Sequence, residues 1–244
     1  MKQIALPLYD TDDYSFSDVV PHAGVSYSIQ MLQGTFQNPA NESIRILIHG
    51  PSGSGKTLVL KALLNYLKHR DTANASECVL ISTTDQAIDG NDLESIVAMN
   101  HDDVSRYSAV LIDDVDRISA SDSTHLWNLW NQLLTTGAHL VCASSVGPDH
   151  IFSDNPHLRS RMISGLSLEL TPPDDAARVL ILDRMAIKRG LRLTHDVINY
   201  LLSRKSRNLN RLEEILRILD RISLEDRRRV TLRLIKDLEA EGLL

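Results

Sequence analysis

Eight residues constrain this 244-residue chain more than any others. Gly50-Pro51-Ser52-Gly53-Ser54-Gly55-Lys56-Thr57 lies between the apolar run Ile46-Leu47-Ile48 and a segment, Leu58–His69, that carries Leu60, Leu63, Leu64 and Leu67 at helical spacing. Glycines in such a loop let the backbone turn tightly and aim several N–H groups at one anion. Lys56 then sets a point charge beside the β and γ phosphates of a nucleotide, and the Thr57 hydroxyl becomes a ligand for Mg2+. Strand, loop and helix follow in the order a phosphate site requires, so residues 50 to 57 are expected to hold ATP or ADP.

The rest of the chain repeats the alternation. Cys78-Val79-Leu80-Ile81, Ala109-Val110-Leu111-Ile112 and His139-Leu140-Val141-Cys142-Ala143 read as strands, and Leu166–Leu170 as a fifth. Helices are expected near Ser26–Gly34 and over Ser123–Thr135. Strands alternating with amphipathic helices predict an α/β fold with a five-stranded parallel sheet. After Thr171-Pro172-Pro173 the strand signals stop. Helices are expected at Asp174–Arg189, Thr194–Ser203, Asn208–Ile222 and Glu225–Glu241, with Thr194 and Asp226 capping or opening theirs. The division is thus 1–13 as an N-terminal peptide and linker, 14–171 as a nucleotide-binding α/β domain, and 172–244 as a small all-helical domain.

Charge marks the same boundary. Residues 1–170 hold 20 Asp and Glu against 10 Lys and Arg, whereas residues 171–244 hold 12 against 16. The net charge of −6 argues against a chain that coats nucleic acid through bulk electrostatics. Arg227-Arg228-Arg229, read as the start of a helix, leaves nonspecific contact with DNA phosphates open, with no aromatic platform interleaved for base recognition. Cys78 and Cys142 fall in apolar runs and read as small core residues in a reducing compartment. Neither a secretory h-region nor an apolar run long enough to span a membrane is present, which predicts a cytoplasmic protein.

Further site residues follow from the strands. Asp113 and Asp114 end the third strand, and ligands of open α/β sheets lie outside the carboxyl ends of the strands. Asp113 is therefore expected to hold Mg2+, partly through water, and Asp114 to orient the attacking water. Asp116 reads as a surface residue. The fourth strand runs into Ser144 and Ser145, either of which can touch the γ-phosphate or the water. In Leu158-Arg159-Ser160-Arg161-Met162 a basic pair closes the α/β domain, a place from which an arginine reaches a neighbouring subunit's nucleotide; Arg211 begins a helix of the second domain. Trp127 and Trp130 fall on or beside one apolar helix stripe and read as core and cover.

The order of these elements resembles the AAA+ ATPases, and within them the DnaA-related group with its Hda-type regulators. Leu111-Ile112-Asp113-Asp114-Val115-Asp116 is similar to the double-aspartate Walker B of that group, and Leu158 to Pro173 to its arginine-finger box and entry to the lid. The resemblance implies that Arg161 is the finger, Arg211 the second sensor and Ser145 the first. Gln3-Ile4-Ala5-Leu6-Pro7-Leu8 is similar to the peptide with which Hda-type regulators bind the sliding clamp, the β subunit of DNA polymerase III. There Gln3 makes polar contacts while Leu6 and Leu8, on a segment stiffened by Pro7, enter an apolar groove. DnaA and the sliding clamp are then the implied partners, self-association is expected, and the task is to promote hydrolysis of DnaA-bound ATP. A loader of the replicative helicase and a non-catalytic nucleotide-binding adaptor are the alternatives. Serines at 144 and 145 and a short Asp114 depart from the commoner family pattern and imply weak hydrolysis by the chain itself.

Overall fold

The computed structural model describes residues 14–37, 43–70, 77–83, 104–118, 120–153, 155–205, 208–226 and 229–244. Gln3, Leu6, Pro7 and Leu8 lie outside the described residues, as do Arg227 and Arg228.

Five strands, β1 (Arg45–His49), β2 (Glu77–Ser82), β3 (Tyr107–Asp113), β4 (His139–Ser144) and β5 (Leu166–Glu169), form one sheet in the order β2-β3-β4-β1-β5. Every pairing is parallel. Parallel strands need both faces covered, and alternate residues of β1 accordingly enter two different cores. Ile46 and Ile48 pack with Leu32 and Phe36 of α1 (Ser26–Gln37) and with Leu60 and Leu63 of α2 (Lys56–Arg70). Leu47 turns to the other face, among Leu126, Leu129, Trp130 and Leu133 of α3 (Ala120–Thr136), with Met162 of α4 (Pro156–Ile163). Trp130 is thus core and Trp127 partly buried cover. Neither cysteine forms a disulfide; burial pushes the Cys142 thiol up to about 12, which leaves it a protonated core residue.

One charged residue is buried that the strand pattern does not reveal. Arg45, at the start of β1, is 8% exposed and donates through Nη1 to the carbonyls of Ala138 at 2.7 Å and Ile44 at 3.0 Å. Its guanidinium lies 5.3 Å from the Trp130 ring centroid, and burial lowers its pKa to about 10, so it stays charged at neutral pH.

The chain divides into two compact units, one holding residues 14–19 and Ala23–Pro172, the other Val20–His22 and Pro173–Leu244. The second unit is helical: α5 (Asp175–Lys188), α6 (His195–Tyr200) continued by a π turn over Leu201–Lys205, α7 (Leu209–Asp226) and α8 (Leu232–Ala240). Its own core contains Leu182, Val197, Leu212, Leu216 and Ile235. Asp174 and Thr194 cap α5 and α6, accepting from the N–H groups of Ala177 and Val197. The expected helix over Glu225–Glu241 is corrected: Asp226 ends α7 rather than opening a helix, and α8 starts afresh after Thr231. Thr231 has extended backbone and its hydroxyl accepts from Leu234 N at 3.2 Å, so a cap opens α8 there. Arg229 accordingly lies in the connection and begins no helix. Among the described residues no helix is long and apolar enough to cross a membrane.

Candidate functional site

The glycine loop leaves the carboxyl end of β1, between β4 and β5. The Gly50 N–H donates to Ser144 O of β4 at 3.2 Å, and a Cβ on Gly50 would stand 2.0 Å from the Leu170 carbonyl oxygen just past β5. Only glycine fits that gap. Gly53 and Gly55 have φ of 80° and 95°, the left-handed region that side chains disfavour. α2 then begins at Lys56, where the first N–H groups of any helix have no intrahelical acceptor and its positive dipole end favours an anion. Ser54 Oγ is buried with no hydrogen-bond partner among the described residues. Lys56, 7% exposed, donates to Gly50 O at 2.7 Å and Pro51 O at 3.2 Å. Burial holds its pKa below the usual lysine value, while Asp113, Asp114 and Asp116 act in the opposite direction.

Asp113 ends β3 at 3% exposure, and its Oδ2 accepts the Thr57 hydroxyl at 2.6 Å. Its Oδ1 accepts the Asp114 N–H at 3.0 Å. Burial raises the Asp113 pKa above the ordinary carboxylate value, with the Thr57 hydrogen bond opposing and Asp114 adding to the rise. Asp114 adopts the left-handed conformation, φ 53° and ψ 38°, and opens a single 3-10 turn over Val115–Arg117. Asp116, in that turn, is half-buried and accepts the Ser145 N–H at 2.9 Å and the Ser145 hydroxyl. Burial alone would raise its pKa; these bonds, with others from Ser144 and its own backbone, more than offset it and hold the group below the ordinary value. The expectation that Asp116 is a surface residue is therefore corrected. Ser144 is fully buried and bonded to Val146 O at 2.8 Å.

These residues fit a nucleotide phosphate with Mg2+. The loop supplies an orphan hydroxyl at Ser54, a lysine and a helix N-terminus, and Thr57 and Asp113 put two hard oxygen donors in contact. Among the described residues no three His, Cys, Asp or Glu side chains cluster closely enough to hold an ion by themselves, so Mg2+ here would draw on phosphate and water for its remaining ligands.

The two arginines lie in different units. Arg161 is exposed in the last turn of α4, its guanidinium 5.5 Å from the Trp127 ring centroid, and among the described residues no carboxylate pairs with it. Trp127 also meets His157 edge to face at 6.4 Å. Arg211 belongs to the helical unit, in the first turn of α7, and pairs with Glu214 at 2.7 Å.

A parallel sheet in the order β2-β3-β4-β1-β5 with the glycine loop after β1, followed by a helical unit, has the architecture of an AAA+ nucleotide-binding module. The model of the bacterial DnaA ATPase domain matches residues 11–169, and that of the Hda lid domain matches residues 175–238. The chain belongs to the DnaA-related AAA+ ATPases and carries an Hda-type lid. An uncharacterized protein of Haemophilus influenzae is 26% identical over 240 residues, covering 96% of this chain and 97% of its own. The chromosomal replication initiator protein DnaA of Nautilia profundicola is 23% identical over 208 residues, 82% of this chain, and the chain spans 46% of its length. Among solved structures, domain III of Thermotoga maritima DnaA superposes with a TM-score of 0.76 at 24% identity, covering 91% of this chain and 93% of that one. AMPPCP-bound DnaA from Aquifex aeolicus gives 0.69 at 20% identity, covering 93% and 70%.

Proposed function

We propose that this protein is a cytoplasmic, nucleotide-held regulator of replication initiation that acts on DnaA. The observation that carries this reading is the succession in one chain of a DnaA-type ATPase domain and an Hda-type lid. Gly50 to Thr57 bind the phosphates of ATP or ADP, a role the AMPPCP-bound relative supports. Lys56 neutralises phosphate charge, and Thr57 with Asp113 holds Mg2+, which supplies charge stabilisation at the phosphates when bound. Asp114 orients water, and Arg211 answers to phosphate state. With an aspartate in place of a longer acid, the chain's own hydrolysis is slow or depends on a partner.

Arg161 is the group offered outward. A guanidinium resting on an indole, with no carboxylate among the described residues to release, needs little reorganisation to meet phosphate charge on another molecule. Supplied in trans to ATP bound by DnaA, such a finger is worth about 10³–10⁵ in rate. Gln3, Leu6, Pro7 and Leu8 dock on the sliding clamp, which raises local concentration at replicating DNA. Self-association and nonspecific contact with DNA phosphates are subsidiary to these partners. The test is clamp-dependent hydrolysis of DnaA-bound ATP. Arg161→Ala should lose the stimulation and keep clamp binding, whereas deletion of residues 1–8 should lose clamp binding. Stimulation that survives Arg161→Ala, or capture of the replicative helicase in place of clamp and DnaA, rejects the proposal.

A further inference from the structure

The turn after β3 is tied to the ends of both flanking strands. On the β2 side, the Thr83 hydroxyl donates to Asp114 O at 2.8 Å. On the β4 side, Asp116 accepts both the N–H and the hydroxyl of Ser145. Within the turn, the Arg117 N–H closes on Asp114 O at 2.9 Å. Asp114 thus begins, in a backbone conformation unfavourable to a side-chain-bearing residue, a turn that is fastened on either side. Such conformations persist where the surroundings over-determine them. Ser145 meanwhile spends its hydroxyl and its N–H on one carboxylate.

We propose that Asp116 is a positioning residue of the nucleotide site, clasping the end of β3 to the end of β4 so that Asp113 and Asp114 are held in register with the phosphate loop, and that Ser145 acts through Asp116. The inference rests on the reading of the loop as a nucleotide site. Asp113 touches Thr57 directly, and the Gly50 N–H is bonded to Ser144, the residue before Ser145. One side of the phosphate loop therefore leans on β4 and the other on Asp113, and the bonds of Asp116 to Ser145, with a further one from Ser144, join those two supports beyond the strand ends. Loss of the clasp frees the Asp114 turn, and its effect should be felt where the carboxylates act: in the contribution of Mg2+ to nucleotide affinity.

The experiment measures equilibrium binding of a fluorescent ATP to the full chain with and without Mg2+, alongside thermal melting. In Asp116→Ala and in Ser145→Ala the gain in affinity that Mg2+ confers should shrink about tenfold or more, the scale of a lost supporting contact, with Mg2+-free affinity retained. The double variant should be no worse than Asp116→Ala alone, because both remove one coupling. Asp116→Asn should recover part of the gain, since its amide oxygen still accepts the Ser145 N–H. A Mg2+ gain unchanged in Asp116→Ala, or losses that multiply in the double variant, overturns the inference. If Asp116→Ala fails to melt cooperatively, Ser145→Ala, which deletes only a hydroxyl, decides by the same comparison. Failure of the underlying reading looks different: the parent does not bind ATP, or Lys56→Ala binds it as the parent does.

Discussion

Asp113 must be ionised to hold a cation, yet burial favours its protonated form. Because its folded pKa lies above the unfolded one, its favourable contribution to stability is present at low pH and is lost as pH rises through the folded value. At neutral pH the carboxylate therefore costs stability, and Asp113→Asn should melt higher than the parent, by about 2–4 °C for each kcal/mol recovered in a chain of this size. The advantage should fade in acid, where the parent's carboxyl protonates, and Mg2+-dependent nucleotide binding should be lost throughout. Melting curves of both proteins across pH test this; a variant that melts lower at pH 7 refutes it. At this scale, legibility in the sequence tracks contiguity. Gly50 to Thr57 are consecutive, so spacing alone marks them as the candidate phosphate loop. Asp116 and Ser145 meet across 29 positions, and Arg45 bonds Ala138 across 93, so neither the clasp nor the buried guanidinium leaves a local pattern.

Among the elements, β1 to β4 are the easiest to read because burial on both faces gives each a short apolar run, whereas the edge strand β5, Leu166-Ser167-Leu168-Glu169, alternates and buries only Leu168. Helices were harder to end than to find. The expected last helix takes in Glu225 and Asp226, which end α7, and α8 starts only after Thr231, whose extended backbone sets the break. Strand order was not legible, since no local signal places β1 between β4 and β5. The caps carry measurable energy. Asp174 accepts the Ala177 N–H at 2.7 Å and sets a negative charge at the start of α5. Asp174→Ala should cost about 0.5–2 kcal/mol of helical-unit stability, and Asp174→Asn much less, read by denaturant unfolding followed by circular dichroism. Equal losses in the two variants would mean that the cap hydrogen bond contributes nothing.

The whole molecule offers a way to watch its two units separately. The chain's two tryptophans, Trp127 and Trp130, both lie on α3 in the α/β unit, while helical circular dichroism reports on both units. A two-state description is not assumed for such a chain. Nucleotide with Mg2+ at about 100 times its dissociation constant should stabilise the unit that binds it by about 2.7 kcal/mol. The fluorescence-detected midpoint should therefore rise with nucleotide, and should not in Lys56→Ala; no rise in the parent would remove the nucleotide from the account. The contact between Gly50 and Leu170 bears on the same question. Leu170 is followed directly by Thr171 and the proline pair, so the residue that opens the phosphate loop abuts the last peptide before the tether to the helical unit. With no side chain at Gly50 to act as a cushion, the mouth of the loop and the root of that tether share one wall. A graft that moved this loop to another scaffold would have to bring the end of β5 along with it.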